Sequence, residues 1–167
     1  KVIAPNGEKI ILHASNFRKV KRIADVIYTF NKIQKEIPSK LLLVGEGPDR
    51  EHIEFQAKEL GILDKVLFLG NSNEVNKLLC YSDLFLLPSQ TESFGLAALE
   101  AMAWGVPLIS SNSGGLHEVN YNGVSGYLSK VGDVDEMANN AISILSDETK
   151  LATFKKNALE VAKKFDI

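Results

Sequence analysis

Cysteine is almost missing from this chain. Cys80 is the only one in 167 residues, which excludes a disulfide framework and a cysteine-built zinc site. It reads as a small core side chain. His13, His52 and His117 are far apart and show no metal-ligand spacing. An excess of one charge is also absent. The net charge is -2 with both signs interspersed, so neither a nucleic-acid footprint nor an electrostatically held membrane surface is visible. No apolar run approaches the roughly 18 residues of a membrane span, and no signal peptide precedes the first strand. These absences make a reduced, cytoplasmic compartment the expectation. The chain begins at Lys1 without methionine and stops at Ile167. Both ends read as cuts within a longer polypeptide, so a site shared with another domain would be incomplete here.

What is present is a regular alternation. Apolar residues make up 45% of the chain, enough for one domain with its own core. Strand-length apolar runs fall at Ile10–Ala14, Leu41–Val44, Val66–Leu69, Leu84–Leu87, Val106–Ser110 and Gly126–Leu128. Helical spacing predicts helices from Val20 to about Ile37, from Pro48 to about Leu60, around Val75–Leu79 and from about Phe94 to Trp104. Two more follow near Val134–Leu145 and Glu148–Lys164. Six strands alternating with helices imply right-handed crossovers and a Rossmann-like, doubly wound α/β fold: a parallel sheet with helices on both faces. Ligands of such sheets sit at the carboxyl ends of the strands. The loops after Ala14, Val44, Leu69, Leu87 and Ser110 are therefore the places to look for function.

One of them carries Glu92-Ser93-Phe94-Gly95-Leu96 and leads into a helix containing Glu100. From Ser93 through Leu116, Glu100 is the only charged residue, so it is predicted to be largely buried. A buried carboxylate needs partners. Two vicinal hydroxyls, as on a ribose, would satisfy it, and so would an ion pair with a distant cation. Glu92 lies near the positive end of the same helix, where plain dipole stabilisation also accounts for it. Gly95 lacks a side chain at that helix start, which suits close approach of a phosphate.

A second loop runs Asn16-Phe17-Arg18-Lys19-Val20-Lys21-Arg22. Four cations beside a strand end suit a diphosphate; the alternative is a solvated, basic helix start, which opposes the helix dipole. Gly45-Glu46-Gly47 is a weak dinucleotide-like signal, because Arg50 stands where a third glycine belongs. A tight turn explains it equally. Ser113-Gly114-Gly115 either approaches a ligand or turns the chain, and His117 and Glu118 read as helix-start residues.

Together these stretches resemble the retaining glycosyltransferases of family four, which have two Rossmann-like domains (the GT-B type). The motif is Glu92 to Glu100, an E-x7-E, followed by Gly105-Val106-Pro107, Gly114-Gly115 and Gly123…Gly126-Tyr127-Leu128. Leu43-Val44-Gly45-Glu46-Gly47-Pro48 and Ser82-Asp83-Leu84 precede it, so the resemblance covers almost the whole chain. It implies a C-terminal donor-binding domain whose acceptor-binding N-terminal domain is not part of this chain. It also implies that Glu100 holds the ribose hydroxyls and Glu92 those of the donor sugar. Amides around Ser93, Phe94, Gly95 and Leu96 would bind sugar and phosphate. Lys21 and Arg18 would neutralise the diphosphate without a metal or other cofactor, and the loop at Gly70 and Asn71 would meet the base.

Two positions depart from the family pattern. The family's usual Gly-Arg is Ser15-Asn16 here, so Asn16 occupies the arginine column and Arg18 is the candidate substitute. Trp104 stands where a small residue is usual. Ser15-Asn16-Phe17-Arg18, Val20-Lys21-Arg22 and Leu60–Gly70 are most similar to the branch acting in bacillithiol biosynthesis. That implies UDP-N-acetylglucosamine as donor and the hydroxyl of L-malate as acceptor. Three other readings stand beside this one: a separate donor-binding subunit, a nucleotide-sugar epimerase or phosphorylase of the same architecture, and a dehydrogenase domain. The broken glycine pattern disfavours the last.

Overall fold

The computed structural model describes residues 3–92 and 95–165; Ser93 and Phe94, both assigned to the ligand loop, lie outside the described residues. Six strands, β1 (Lys9–Ala14), β2 (Ser39–Val44), β3 (Val66–Gly70), β4 (Leu84–Leu87), β5 (Leu108–Ser111) and β6 (Gly126–Ser129), form one sheet in the order β3-β2-β1-β4-β5-β6. Every pairing is parallel. The helices are α1 (Ile23–Gln34), α2 (Arg50–Glu59), α3 (Val75–Tyr81), α4 (Leu96–Ala103), α5 (Leu116–Val119), α6 (Val134–Leu145) and α7 (Glu148–Ala162). This is the doubly wound α/β sheet that the alternation predicts.

Successive strand residues serve opposite faces, which is why the strands read as continuous apolar runs. Ile11, Leu41, Leu43, Leu84, Leu86 and Ile109 pack under α1, α2 and α6. Leu12, Leu42, Phe85, Leu87 and Leu108 pack under α3, α4, α5 and the last turns of α7. The strand order reverses between β1 and β4, which pair through Ile11–Leu84 and Leu12–Phe85. Their following loops must diverge to opposite faces and leave a crevice at the carboxyl edge.

Several local expectations change. The helix expected from Val20 is broken: a 3₁₀ turn, Lys19–Lys21, ends at Arg22, which is left-handed (φ 53°, ψ 49°), and α1 begins only at Ile23. The basic residues thus sit in a separate turn, and the first turn of α1 carries Asp25, an acid that suits the helix dipole. Strand β5 starts at Leu108 rather than Val106, because Val106 N–H still closes the end of α4 on Ala101 O. The short α5 around His117 and Glu118 falls below the length that periodicity resolves. Cys80 is exposed on α3, not part of the core.

The Gly45-Glu46-Gly47 turn is explained by backbone packing. Phe17 N–H donates to Glu46 O at 3.0 Å and Phe17 O accepts from Asp49 N–H at 3.1 Å, while the Phe17 ring is fully buried. A Cβ on Gly45 would collide with Ser15 O, and one on Gly47 would lie 2.7 Å from the Phe17 backbone. The glycines let the loop after β2 lie flat on the loop after β1. Phe17 is thus the anchor of the loop carrying Arg18 and Lys21. Truncating it, Phe17→Ala, is expected to lower unfolding free energy by about 3–5 kcal/mol, read from a urea denaturation curve.

Candidate functional site

The crevice at the β1/β4 reversal is built by main-chain ties between three loops. Gln90 N–H donates to Val20 O at 2.7 Å, joining the loop after β4 to the 3₁₀ turn after β1. Gly115 N–H donates to Glu92 O at 3.0 Å, adding the loop after β5. Ser111 Oγ and Ser113 Oγ both donate to Ser89 O, at 2.7 and 2.8 Å. Gly114 has φ 54°, and a Cβ there would collide with the Glu92 carbonyl. Ser113-Gly114-Gly115 is thus a support pressed against the Glu92 backbone. The close approach to the Glu92 backbone accounts for the glycine at 114, which also lines the crevice.

Between these loops lies a cleft of about 440 Å³, lined by Asn16, Arg18, Val20, Lys21, Thr91, Glu92 and Gly114. Lys21 Nζ pairs with Glu92 Oε1 at 3.3 Å across it, both side chains being largely sheltered. Arg18 is exposed at the rim, and no acid among the described residues pairs with it. Lys21, Arg18, Glu92 and Asn16, proposed from separate stretches, are therefore together. Their pairing across the cleft was not legible in the sequence, because it depends on which loops the strand order brings face to face.

Glu100 departs from expectation: it is exposed, not buried. Helix α4 turns Ala98, Leu99, Ala101 and Met102 inward. It leaves Leu96 (66% exposed), Glu100 and Trp104 (43% exposed) outside, so the apolar composition misled because the helix keeps apolar residues on its open face too. Glu100 lines a second cleft of about 550 Å³ with Asn76, Leu96, Ala97, Leu99, Ala103 and Trp104. No cation among the described residues pairs with it, so the ion-pair alternative finds no support. Trp104 Nε1–H donates to Asn76 Oδ1 at 3.2 Å and ties the end of α4 to α3.

Gly95 precedes α4 with φ 70°, and a Cβ on it would meet Leu116 and Val119 of α5 at 3.2 and 3.4 Å. Its missing side chain therefore makes room for α5, and its left-handed backbone favours glycine at this position. Gly70 and Asn71 line neither cleft; Gly70 O accepts from Gly45 N–H at 2.8 Å, and the Glu46–Arg50 ion pair lies over Gly70.

One residue beneath the cleft escaped the sequence reading. His13, at the end of β1, is fully buried. Its Nδ1 lies 2.7 Å from Leu86 O and its Nε2 2.7 Å from Ser15 Oγ. A carbonyl only accepts, so Nδ1 carries the proton and Nε2 accepts from the Ser15 hydroxyl. The neutral ring thus stitches β4 to the loop after β1. Burial pushes its pKa down from 6.5 to about 4, and Lys21 adds to the decrease. The unfolded chain binds this proton more readily than the folded one. Stability is therefore full above pH 6.5 and declines as pH falls towards about 4, by roughly 3 kcal/mol. Urea midpoints across that window should show the decline, and His13→Gln should flatten it.

The sequence profile described as "Glycosyl transferases group 1" matches residues 1–161. The chain is 54% identical over 142 residues to N-acetyl-alpha-D-glucosaminyl L-malate synthase of Bacillus anthracis, covering 85% of this chain and 37% of that protein. Among solved structures, sucrose-phosphate synthase from Thermosynechococcus elongatus superposes with a TM-score of 0.88 at 30% identity, over 96% of this chain and 42% of that one. Anabaena HepE in complex with UDP superposes at 0.87 with 27% identity, over 94% and 44%. The chain therefore spans well under half the length of these relatives.

Proposed function

The chain belongs to the group 1 glycosyl transferases, and on that premise we propose that it is the donor-binding domain of an enzyme that moves N-acetylglucosamine from UDP-N-acetylglucosamine to the hydroxyl of L-malate, with retention at the anomeric carbon. The observation that carries this reading is the cleft at the strand-order reversal, where Lys21 and Arg18 face Glu92. Two cations and one carboxylate suit a diphosphate bearing a sugar better than a divalent cation. The 54% identity to an N-acetyl-alpha-D-glucosaminyl L-malate synthase and the UDP held by HepE support the choice of substrates.

In this reading the diphosphate enters between Lys21 and Arg18, and Lys21 exchanges the Glu92 carboxylate for phosphate oxygens. Glu92 is then free to accept from sugar hydroxyls. Glu100 lies one helical turn, about 6 Å, beyond the start of α4, and accepts from both ribose hydroxyls. The exposed Leu96 supplies apolar cover beside it. The bond from the anomeric carbon to the β-phosphate oxygen breaks and its electron pair stays on that oxygen. The malate hydroxyl oxygen bonds the anomeric carbon on the face just vacated, and its proton passes to the departing phosphate. Lys21 and Arg18 stabilise the charge that grows on the leaving group, and such preorganised electrostatics are generally a large term. The acceptor is bound by a further domain of the full-length enzyme. No metal takes part, because the two cations meet the phosphate charge.

Lys21→Ala in the full-length enzyme should lower kcat/KM by about 10²–10³-fold in an assay of UDP release with L-malate. Glu100→Ala should act mainly through donor KM. Wild-type turnover in the Lys21 variant would refute the phosphate assignment.

A further inference from the structure

We propose that Arg22 and Asp25 are a positioning pair that holds the cationic turn in the direction Lys21 needs, without either touching the substrate. This rests on the reading above that Lys21 meets a phosphate. Arg22 is the one non-glycine residue with a positive φ among the described residues. A left-handed backbone disfavours any side chain with a Cβ. Here it falls where the 3₁₀ turn ends and α1 starts. If Arg22 relaxed to right-handed geometry, the turn and α1 would merge into the single helix that the spacing from Val20 predicts. Lys21 would then be carried off its line to the cleft.

The side chains supply what opposes that relaxation. Arg22 Nε donates to Asp25 Oδ2 at 2.7 Å, and Asp25 N–H donates to Arg22 O at 2.9 Å. Asp25 is buried in the first turn of α1, where an unpaired carboxylate would be costly. The far side of the guanidinium is covered by the loop before α6: a Cβ on Gly132 would lie 3.1 Å from Arg22 Nη2. The guanidinium thus sits between α1 and that loop, one-third exposed. Neither Arg22 nor Asp25 lines the cleft, so the pair acts through the backbone that presents Lys21.

A glycine adopts the left-handed conformation without a clamp, which separates this role from that of an ordinary ion pair. The full-length protein would be compared as wild type, Asp25→Asn and Arg22→Gly/Asp25→Asn. Hydrogen exchange would be read at the Lys21 and Arg22 amides, which bond Arg18 O and Lys19 O, and UDP affinity by calorimetry. Asp25→Asn should speed exchange at those two amides and weaken UDP binding about tenfold, the scale of a left-handed residue's backbone cost. Protection in β1 and β4 should not change. The double variant should recover both protection and affinity. Persistence of the Asp25→Asn defect in the double variant would overturn the proposal in favour of a plain structural ion pair. If wild type failed to bind UDP, the donor reading would fall, while the exchange pattern alone would still decide the turn.

Discussion

The reversal of strand order between β1 and β4 is the constraint from which the site follows. Parallel neighbours whose crossovers leave to opposite faces must part their loops at the carboxyl edge. The sequence fills that parting with opposite charges: the cations of Arg18 and Lys21 on one lip, Glu92 on the other. Three ties give the cleft a fixed width: Gln90 to Val20, Gly115 to Glu92, and His13 bridging Leu86 and Ser15 from below. The His13 bridge is fully buried, while the Gln90–Val20 tie joins two exposed residues at the rim.

The Lys21–Glu92 pair gives that cleft its chemical sense. A partly sheltered ion pair at 3.3 Å contributes little net stability, because desolvation offsets attraction. In the proposed function its value lies in holding both groups where a diphosphate sugar would offer each a better partner. Asn16, Arg18 and Thr91 complete a lining that is polar and open, while α4 presents Glu100 between exposed apolar neighbours.

Most of the fold was legible because buried parallel strands announce themselves: Leu84–Leu87 and Val134–Leu145 fall where their apolar runs and helical spacing place them. The placing of Lys21, Arg18, Glu92 and Asn16 at the carboxyl edge was also legible, since each lies in a loop that follows a strand. Three features were not. Arg22 disrupts a helix that spacing alone extends, because a left-handed residue leaves no trace in hydrophobic period. Glu100 is exposed because α4 keeps Leu96 and Trp104 on its open face, so apolar composition does not mean burial there. His13 looked like an isolated histidine because its partners, Leu86 and Ser15, meet it only through strand pairing and the turn after β1.

A crystal structure of the protein grown with UDP tests the central claim most directly. The account predicts a diphosphate within hydrogen-bond distance of Lys21 and Arg18, the Lys21–Glu92 pair opened, and both ribose hydroxyls on Glu100. UDP bound away from the β1/β4 crevice, or ordered there with Lys21 still on Glu92 and the ribose off Glu100, would contradict it.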